Sequence, residues 1–124
     1  MEQRDPLTEQ VIGAAIEVHR VLGPGLLESV YQKCLTQELM LRGIGHRTQV
    51  QLPIVYKGVQ LDCSLFMDFV IADQLVLELK TVEKLAPIHE AQLLTYLKLS
   101  QIRRGLLINF NVPLLKDGLK RMVL

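Results

Sequence analysis

Apolar residues occupy every second position on both sides of the tripeptide Ala72-Asp73-Gln74. Successive side chains of a strand point to opposite faces of its sheet, so this pattern is typical of a β-hairpin. A three-residue loop pairs Ile71 with Leu75 and sets Asp68 opposite Glu78. One face then carries Met67, Phe69, Ile71, Leu75, Leu77 and Leu79. The other carries Phe66, Asp68, Val70, Val76, Glu78 and Lys80.

The length of this loop decides which side chains share a face. A two-residue loop, Asp73-Gln74, would pair Asp68 with Leu79 and put the two acids on opposite faces. It would also turn the leucines of the second strand away from the apolar residues of the first. The apolar pattern therefore favours the three-residue loop. We expect Asp68, Glu78 and Lys80 to meet on the outward face of a sheet whose other face is buried.

Two acids placed in this way need a compensating charge. Opposed strand residues have Cβ atoms about 5 Å apart, and two carboxylates at that distance repel by on the order of 3 kcal/mol at an effective dielectric constant of about 20. A cation, a proton on one acid, or the ammonium group of Lys80 could relieve the repulsion. Mg²⁺ fits because it prefers oxygen ligands and keeps waters for a phosphate substrate. A solvated polar face on an ordinary hairpin is the alternative.

Composition limits the class of protein. The 124 residues are 49% hydrophobic and 22% charged, which is typical of a globular domain. No apolar run reaches the roughly 18 residues of a membrane helix, and the polar segment Met1–Pro6 lacks the apolar region of a signal peptide. Cys34 and Cys63 match neither a disulfide framework nor a zinc spacing. We expect one reduced, cytoplasmic domain over residues 1–124 without a membrane partner.

The net charge of +1 gives no support to strong sequence-independent binding of nucleic acid, which usually shows as a clearly basic domain. Two basic groups occur towards the C-terminal end, namely Lys98, Arg103 and Arg104, and Lys116, Lys120 and Arg121. They could form a nucleic-acid patch or a solvated face, and the sequence leaves both open.

The first half of the chain predicts two helices. The first begins at Pro6 and ends at Gly23-Pro24-Gly25, with Leu7, Val11, Ala14, Val18 and Leu22 at helical spacing. The second fits Leu26 to about Arg42, where Gly43 stops it. Its predicted inner side carries Leu27, Val30, Tyr31, Cys34 and Leu35.

The second half predicts strands and two further helices. Strands fit at about His46–Tyr56, Val59–Ile71 and Leu75–Val82, with Lys57-Gly58 as a tight turn and Pro53 typical of an edge strand. A third helix, Pro87–Ser100, carries Ala91, Leu94 and Leu97 at core spacing; a buried strand, Gly105–Phe110, and a last helix, Leu114–Val123, follow. The order α-α-β-β-β-α-β-α predicts an α/β fold with a mixed sheet of about four strands and helices on both sides.

Several motifs together resemble one known family. The segment Gly25–Tyr31 reads G-x-x-E-x-x-Y at the start of the second helix. With Asp68, the tripeptide Glu78-Leu79-Lys80 and the segment Gln92–Tyr96, it closely resembles the GxxExxY family, which is placed in the PD-(D/E)XK nuclease-like superfamily. The resemblance covers nearly the whole chain and implies a restriction-endonuclease-like fold, whose αβββαβ core agrees with the element order.

The resemblance also implies roles for the acids and the lysine. Asp68 and Glu78 would be metal-binding carboxylates, and the backbone carbonyl of Leu79 could add a ligand. Glu28 matches a helical glutamate that completes the acidic cluster in several of these nucleases, although a first-turn acid favoured by the helix dipole explains it equally well. Lys80 would position or activate the attacking water and stabilise charge on the phosphate.

A second set of residues would act around the lysine and the substrate. Gln92 and Tyr96 match the Gln-x-x-x-Tyr motif, and their spacing puts them on one helical face, where they could orient Lys80 or contact a phosphate. A core-edge tyrosine beside a solvated glutamine is the alternative. His89 lies on the same face and could contact phosphate or make a local hydrogen bond at the helix start.

The implied activity is Mg²⁺- or Mn²⁺-dependent hydrolysis of phosphodiester bonds in nucleic acid, with DNA favoured over RNA. Phe66 departs from the family, whose members often carry an arginine two positions before the aspartate. The alternatives are a non-catalytic module that binds nucleic acid or protein, and a hydrolase of small phosphorylated molecules. We expect no appended recognition domain, so that selection of a substrate would need a homodimer or a partner protein.

Overall fold

The computed structural model describes residues 5–124; most of the polar N-terminal segment, residues 1–4, lies outside them. Helix α1, Pro6–Leu22, begins where the carboxylate of Asp5 accepts a hydrogen bond from the backbone amide of Thr8 at 3.1 Å. Pro6 suits the first position of the helix because a backbone N–H at that position would have no partner within the helix, and proline has none. Gly23 ends the helix with a φ of 73°, which glycine adopts without strain. The predicted first helix is confirmed.

Helix α2, Glu28–Leu41, packs on α1 through a stripe at every fourth position. Its buried residues are Tyr31, Leu35 and Leu39, and Cys34 is partly buried beside them. The expected inner positions Leu27 and Val30 are exposed, which corrects the prediction. Leu27 precedes the first helical residue, so the buried stripe starts one turn later than the apolar pattern indicates.

Strands β1, His46–Tyr56, β2, Val59–Ile71, and β3, Leu75–Lys80, form an antiparallel meander. Lys57 and Gly58 join the first two in a turn with positive φ at both residues, which matches the right-handed twist of the strands. β1 is an edge strand, as Pro53 indicated, and its register with β2 shifts between Pro53 and Val55.

Helix α3, Pro87–Ser100, crosses over to β4, Arg104–Asn109, which runs parallel to β3. The predicted last helix is wrong, because a 3₁₀ turn, Leu115–Gly118, leads into strand β5, Leu119–Val123, which is antiparallel to β4. β4 is buried on both faces, so its outer backbone groups need a strand partner, and β5 supplies one. The sheet therefore has five strands in the order β1-β2-β3-β4-β5.

Helices cover both faces of the sheet. The first core cluster joins α1 and α2 to Phe69, Ile71, Leu75, Leu77 and Leu79. The second joins α3 to Leu52, Met67, Val70, Val76 and Leu107. α3 contributes Leu93, Tyr96 and Leu97, whereas the expected core residue Ala91 is exposed and Leu94 is only partly buried. Within residues 5–124, no helix is long and apolar enough to cross a membrane.

Candidate metal centre and active site

The strands β2 and β3 separate at the two acids. Their ladder pairs Ile71 with Leu75 and Phe69 with Leu77, which confirms the predicted three-residue loop and register. Beyond it, side chains replace the ladder bonds: the backbone amide of Asp68 donates to Oε2 of Glu78 at 2.9 Å. The backbone amide of Leu79 donates to Oδ2 of Asp68, also at 2.9 Å. The two carboxyl groups thus fill the fork where the strands part.

The alternation of β2 breaks at the same point. Met67 packs in the second cluster with Val70, whereas Phe69 packs in the first, so Met67 lies on the face opposite to the predicted one. In the neighbouring strand, Gln49 adopts a left-handed φ of 48°. The β1–β2 ladder pairs Thr48 with Phe69 and then Val50 with Met67, and it omits the pair between them. A matched irregularity in both strands therefore flanks Asp68.

Burial makes Glu78 a weak acid. Its side chain is 4% exposed. Desolvation, followed by the charge of Asp68 and a hydrogen bond with that carboxylate, raises the pKa of Glu78 to about 9, and the ammonium group of Lys80 offsets only part of this. Without a cation, a proton on Glu78 therefore relieves the repulsion within the pair at neutral pH. This is one of the three forms of relief that the sequence left open.

Glu28 approaches the fork from the first turn of α2. Burial and the charge of Asp68 raise the pKa of Glu28, and Lys80 lowers it, so its carboxylate senses both groups. Tyr31 holds the segment before α2: its hydroxyl donates to the carbonyl of Gly23 at 2.5 Å and accepts from the amide of Leu26 at 3.2 Å. Tyr31 is thus buried, as its place on the predicted inner side of the helix indicated, and both hydrogen bonds of its hydroxyl are made within the chain.

Lys80 is tethered to helix α3. Its Nζ donates to Oε1 of Gln92 at 3.0 Å, and Nε2 of Gln92 donates to the hydroxyl of Tyr96 at 3.1 Å. Tyr96 is 5% exposed, and burial together with the charges of Glu78 and Asp68 raises its pKa. The structure thus brings Gln92 and Tyr96 to Lys80. It also corrects the picture of an open outward face, since α3 covers the polar side of the hairpin.

His89 makes a local hydrogen bond at the start of α3. Its Nδ1 accepts from the backbone amide of Ala86 at 2.9 Å, so the histidine caps the helix. This is the local role that the sequence left open beside a phosphate contact. The side chain is half-buried, and its contact with a substrate remains a prediction.

The fit to a cation rests on the chemistry of the donors. Within residues 5–124, no three His, Cys, Asp or Glu side chains cluster as a ready-made metal site, and Glu28 as a third ligand beside the pair remains a prediction. Asp68 and Glu78 nevertheless offer carboxylate oxygens at a buried position where negative charge lacks full compensation. A hard divalent cation that replaces the proton on Glu78 suits such donors.

Two features near the site were not found from the sequence. The side chain of Gln49 is hydrogen-bonded to Gln32 and to Asp68. Neither glutamine belongs to a sequence motif. Asn109 is 1% exposed and ties β4 to the chain after β3, since its side chain bonds both the amide and the carbonyl of Val82. A polar residue at the end of the apolar run in β4 was the available signal for Asn109. No local pattern indicates the role of Gln49.

The surface features that bear on substrate binding are modest. Phe66, which stands where the resemblance expects an arginine, is 52% exposed. Part of the C-terminal basic group is paired: Lys120 lies 3.8 Å from Glu90, and Arg121 lies 3.0 Å from Glu9. These ion pairs favour the solvated-face interpretation for that group over a phosphate-binding patch.

Comparison with protein-family models gives a match over almost the whole chain. A family model described as the PD-(D/E)XK nuclease superfamily matches residues 5–122. No curated protein and no solved structure matches the chain. The matched range includes the fork, Lys80 and the whole of α3.

Proposed function

Since the chain belongs to the PD-(D/E)XK nuclease superfamily, we propose that it hydrolyses phosphodiester bonds in nucleic acid with the help of Mg²⁺ or Mn²⁺, and that DNA is the preferred substrate. The GxxExxY branch, a cytoplasmic location and a single domain over residues 1–124 belong to the same proposal. Substrate selection would use a homodimer or a partner protein. Nuclease-like function in general follows from the family; the substrate and the activity are what we propose.

The observation that supports this most is the fork. Asp68 and Glu78 each accept a hydrogen bond from a backbone amide of the other's strand. Lys80 lies two residues after Glu78 on β3. Two carboxyl groups and a primary amine that senses their charge, and that is hydrogen-bonded to Gln92, support a site of this kind. An ordinary solvated hairpin face would not bury an acid to 4% exposure.

Each group then has a chemical task. Asp68 and Glu78 hold the cation, with Glu28 completing the acidic cluster, and the bound cation supplies positive charge beside the phosphate. Lys80 donates hydrogen bonds to the attacking water or to the phosphate, where it stabilises developing negative charge. Gln92 orients Lys80, and Tyr96 orients Gln92, as their hydrogen bonds indicate. His89 contacts a phosphate with the ring nitrogen that does not cap α3.

A non-catalytic binding module is the second candidate, and one observation favours it. Phe66 is exposed beside the fork and offers an apolar contact where the resemblance expects a cationic one. In a binding module, the acids would need neither a cation nor the ammonium group of Lys80. The two functions therefore differ in their dependence on divalent cations and on Lys80.

A cleavage assay separates them. Single-stranded, duplex and branched DNA and RNA are incubated with the protein and with Mg²⁺ or Mn²⁺, in parallel with Lys80→Ala and Asp68→Asn. Lys116→Ala serves as the matched control, because Lys116 is an exposed lysine in the 3₁₀ turn outside the fork. We expect cation-dependent cleavage that both site variants abolish and the control retains. Cleavage that survives Lys80→Ala, or no cleavage of any substrate, contradicts the proposal.

A further inference from the structure

Gln49 connects helix α2 to the acid pair. Its Nε2 donates to Oε1 of Gln32 on α2 at 3.0 Å, and the same atom lies 3.4 Å from Oδ1 of Asp68. The other carboxylate oxygen of Asp68 accepts from the amide of Leu79. The two oxygens of Asp68 are therefore held from opposite sides, one by β3 and one by Gln49.

The backbone of Gln49 is as unusual as its contacts. A φ of 48° lies in the left-handed region, which is strained for a residue that carries a Cβ atom. The ladder between β1 and β2 skips the position of Gln49 and Asp68, although it is regular on both sides of them. Such strain at a non-glycine residue persists only where the surroundings require it, and here it accompanies the turn of Asp68 towards Glu78.

We infer that Gln49 is a positioning residue for Asp68, anchored by Gln32, and that it aims the carboxylate of Asp68 into the fork. Its benefit to cation binding rests on the proposed function; its hold on Asp68 does not. Groups that orient a metal ligand from behind commonly change metal affinity by about 10–100-fold when they are removed. The backbone of Gln49 is strained, and this conformation lets its side chain hold one oxygen of Asp68 in place.

Substitution by glycine separates this role from a structural one. Gln49→Gly removes the amide group and also the strain, because glycine adopts positive φ freely. Gln51→Gly is the matched control, since Gln51 lies two residues along the same strand, is exposed and has no positive φ. Gln32→Ala removes the anchor without touching the strand.

Two measurements read the outcome. In the cation-free protein, hydrogen exchange at the amide of Leu79, which donates to Asp68, should speed up several-fold in Gln49→Gly and Gln32→Ala relative to the amide of Val76. In Mn²⁺ titration calorimetry, both variants should bind about tenfold more weakly. The melting temperature of Gln49→Gly should stay at or above that of the wild type, while Gln51→Gly should lower it without changing either readout.

The two proposals fail in different ways. If the wild type binds no Mn²⁺, the proposed function fails, and the exchange of the Leu79 amide still decides the role of Gln49. If the wild type binds Mn²⁺ but Gln49→Gly binds it equally well, with unchanged exchange at Leu79, the positioning role is overturned. A large loss of stability in Gln49→Gly would likewise overturn it, because Gln49 would then act as a structural residue of the strand.

Discussion

The backbone amide of Asp68 donates a hydrogen bond to the carboxyl group of Glu78 at 2.9 Å, and this contact joins the two acids of the fork. Glu78 is almost fully buried, so its negative charge is costly. When no cation is present, Glu78 stays protonated at neutral pH and avoids this cost, since its pKa is about 9. Protonation and stability are therefore linked at this one position, and the proposed cation would act at the same position.

The stability of the cation-free protein should fall as the pH rises. Folding raises the pKa of Glu78 from 4.5 to about 9. The stability that this proton provides is fully present below about pH 4.5 and is lost as the pH rises towards 9. The free energy of unfolding should drop by up to about 1.4 kcal/mol per pH unit in that window. Urea denaturation in a chelator over this pH range measures the slope.

Glu78→Gln is the test variant for this slope. The amide of glutamine can accept from Asp68 and donate to its carboxylate, as protonated Glu78 does, but it does not titrate. The variant should lose the slope and exceed the wild type in stability at alkaline pH. A wild-type stability that is flat or rises between pH 5 and 9 would show that Glu78 folds in its ionised form.

The hydroxyl of Tyr31 should stabilise the segment that leads into Glu28. Tyr31→Phe removes the bonds to Gly23 and Leu26 but keeps the stacking on Phe110, whose ring centroid lies 4.5 Å away. We expect a loss of about 1–2 kcal/mol in the free energy of unfolding. Tyr56→Phe is the control, because Tyr56 is 61% exposed. Equal effects of both substitutions would mean that the Tyr31 hydroxyl does not hold this segment.

Gln92 should affect catalysis without affecting stability. Gln92→Ala removes the hydrogen bond that holds the ammonium group of Lys80. The stability should change little, because Gln92 is exposed on α3 and alanine is a good helix former. Cleavage should fall by roughly tenfold or more, since a misplaced catalytic group commonly costs that much. Thr95→Ala, at another exposed position of α3, should leave the rate unchanged. A rate unchanged in Gln92→Ala would remove this glutamine from the site.

Gly118 distinguishes the observed C-terminal strand from the helix that the sequence predicted. A Cβ atom on Gly118 would overlap the backbone carbonyl oxygen of Asn109. Gly118→Ala should therefore cost about 1–3 kcal/mol, whereas in a helix over Leu114–Val123 the same change would stabilise the protein. Gly45→Ala is the control, because a Cβ there meets nothing within 4 Å. Thermal denaturation of both variants reads the difference.

The hairpin could be predicted from the sequence because its information is local. Every second residue around Ala72-Asp73-Gln74 is apolar, and only one loop length keeps most of those residues on one face, so the meeting of Asp68 and Glu78 followed. Lys80, Gln92 and Tyr96 were identified by motif, and the structure joins them by hydrogen bonds.

What could not be predicted depends on contacts across the chain. Met67 changes face because of a paired irregularity with Gln49, a residue type with no preference for positive φ. The final strand forms because β4 leaves an edge to be paired, while its own sequence, Leu119–Val123, is compatible with a helix. The cap made by His89 and the anchor made by Gln32 likewise exist only once the helices are in place.

The central claim is that Asp68 and Glu78 share one divalent cation. Titration calorimetry with Mn²⁺ near neutral pH, in two buffers of different ionisation enthalpy, tests it directly. The wild type should bind with release of about one proton, which the cation displaces from Glu78, and Asp68→Asn should bind far more weakly. Binding that is absent in the wild type, or that is equally tight in Asp68→Asn, would contradict the claim.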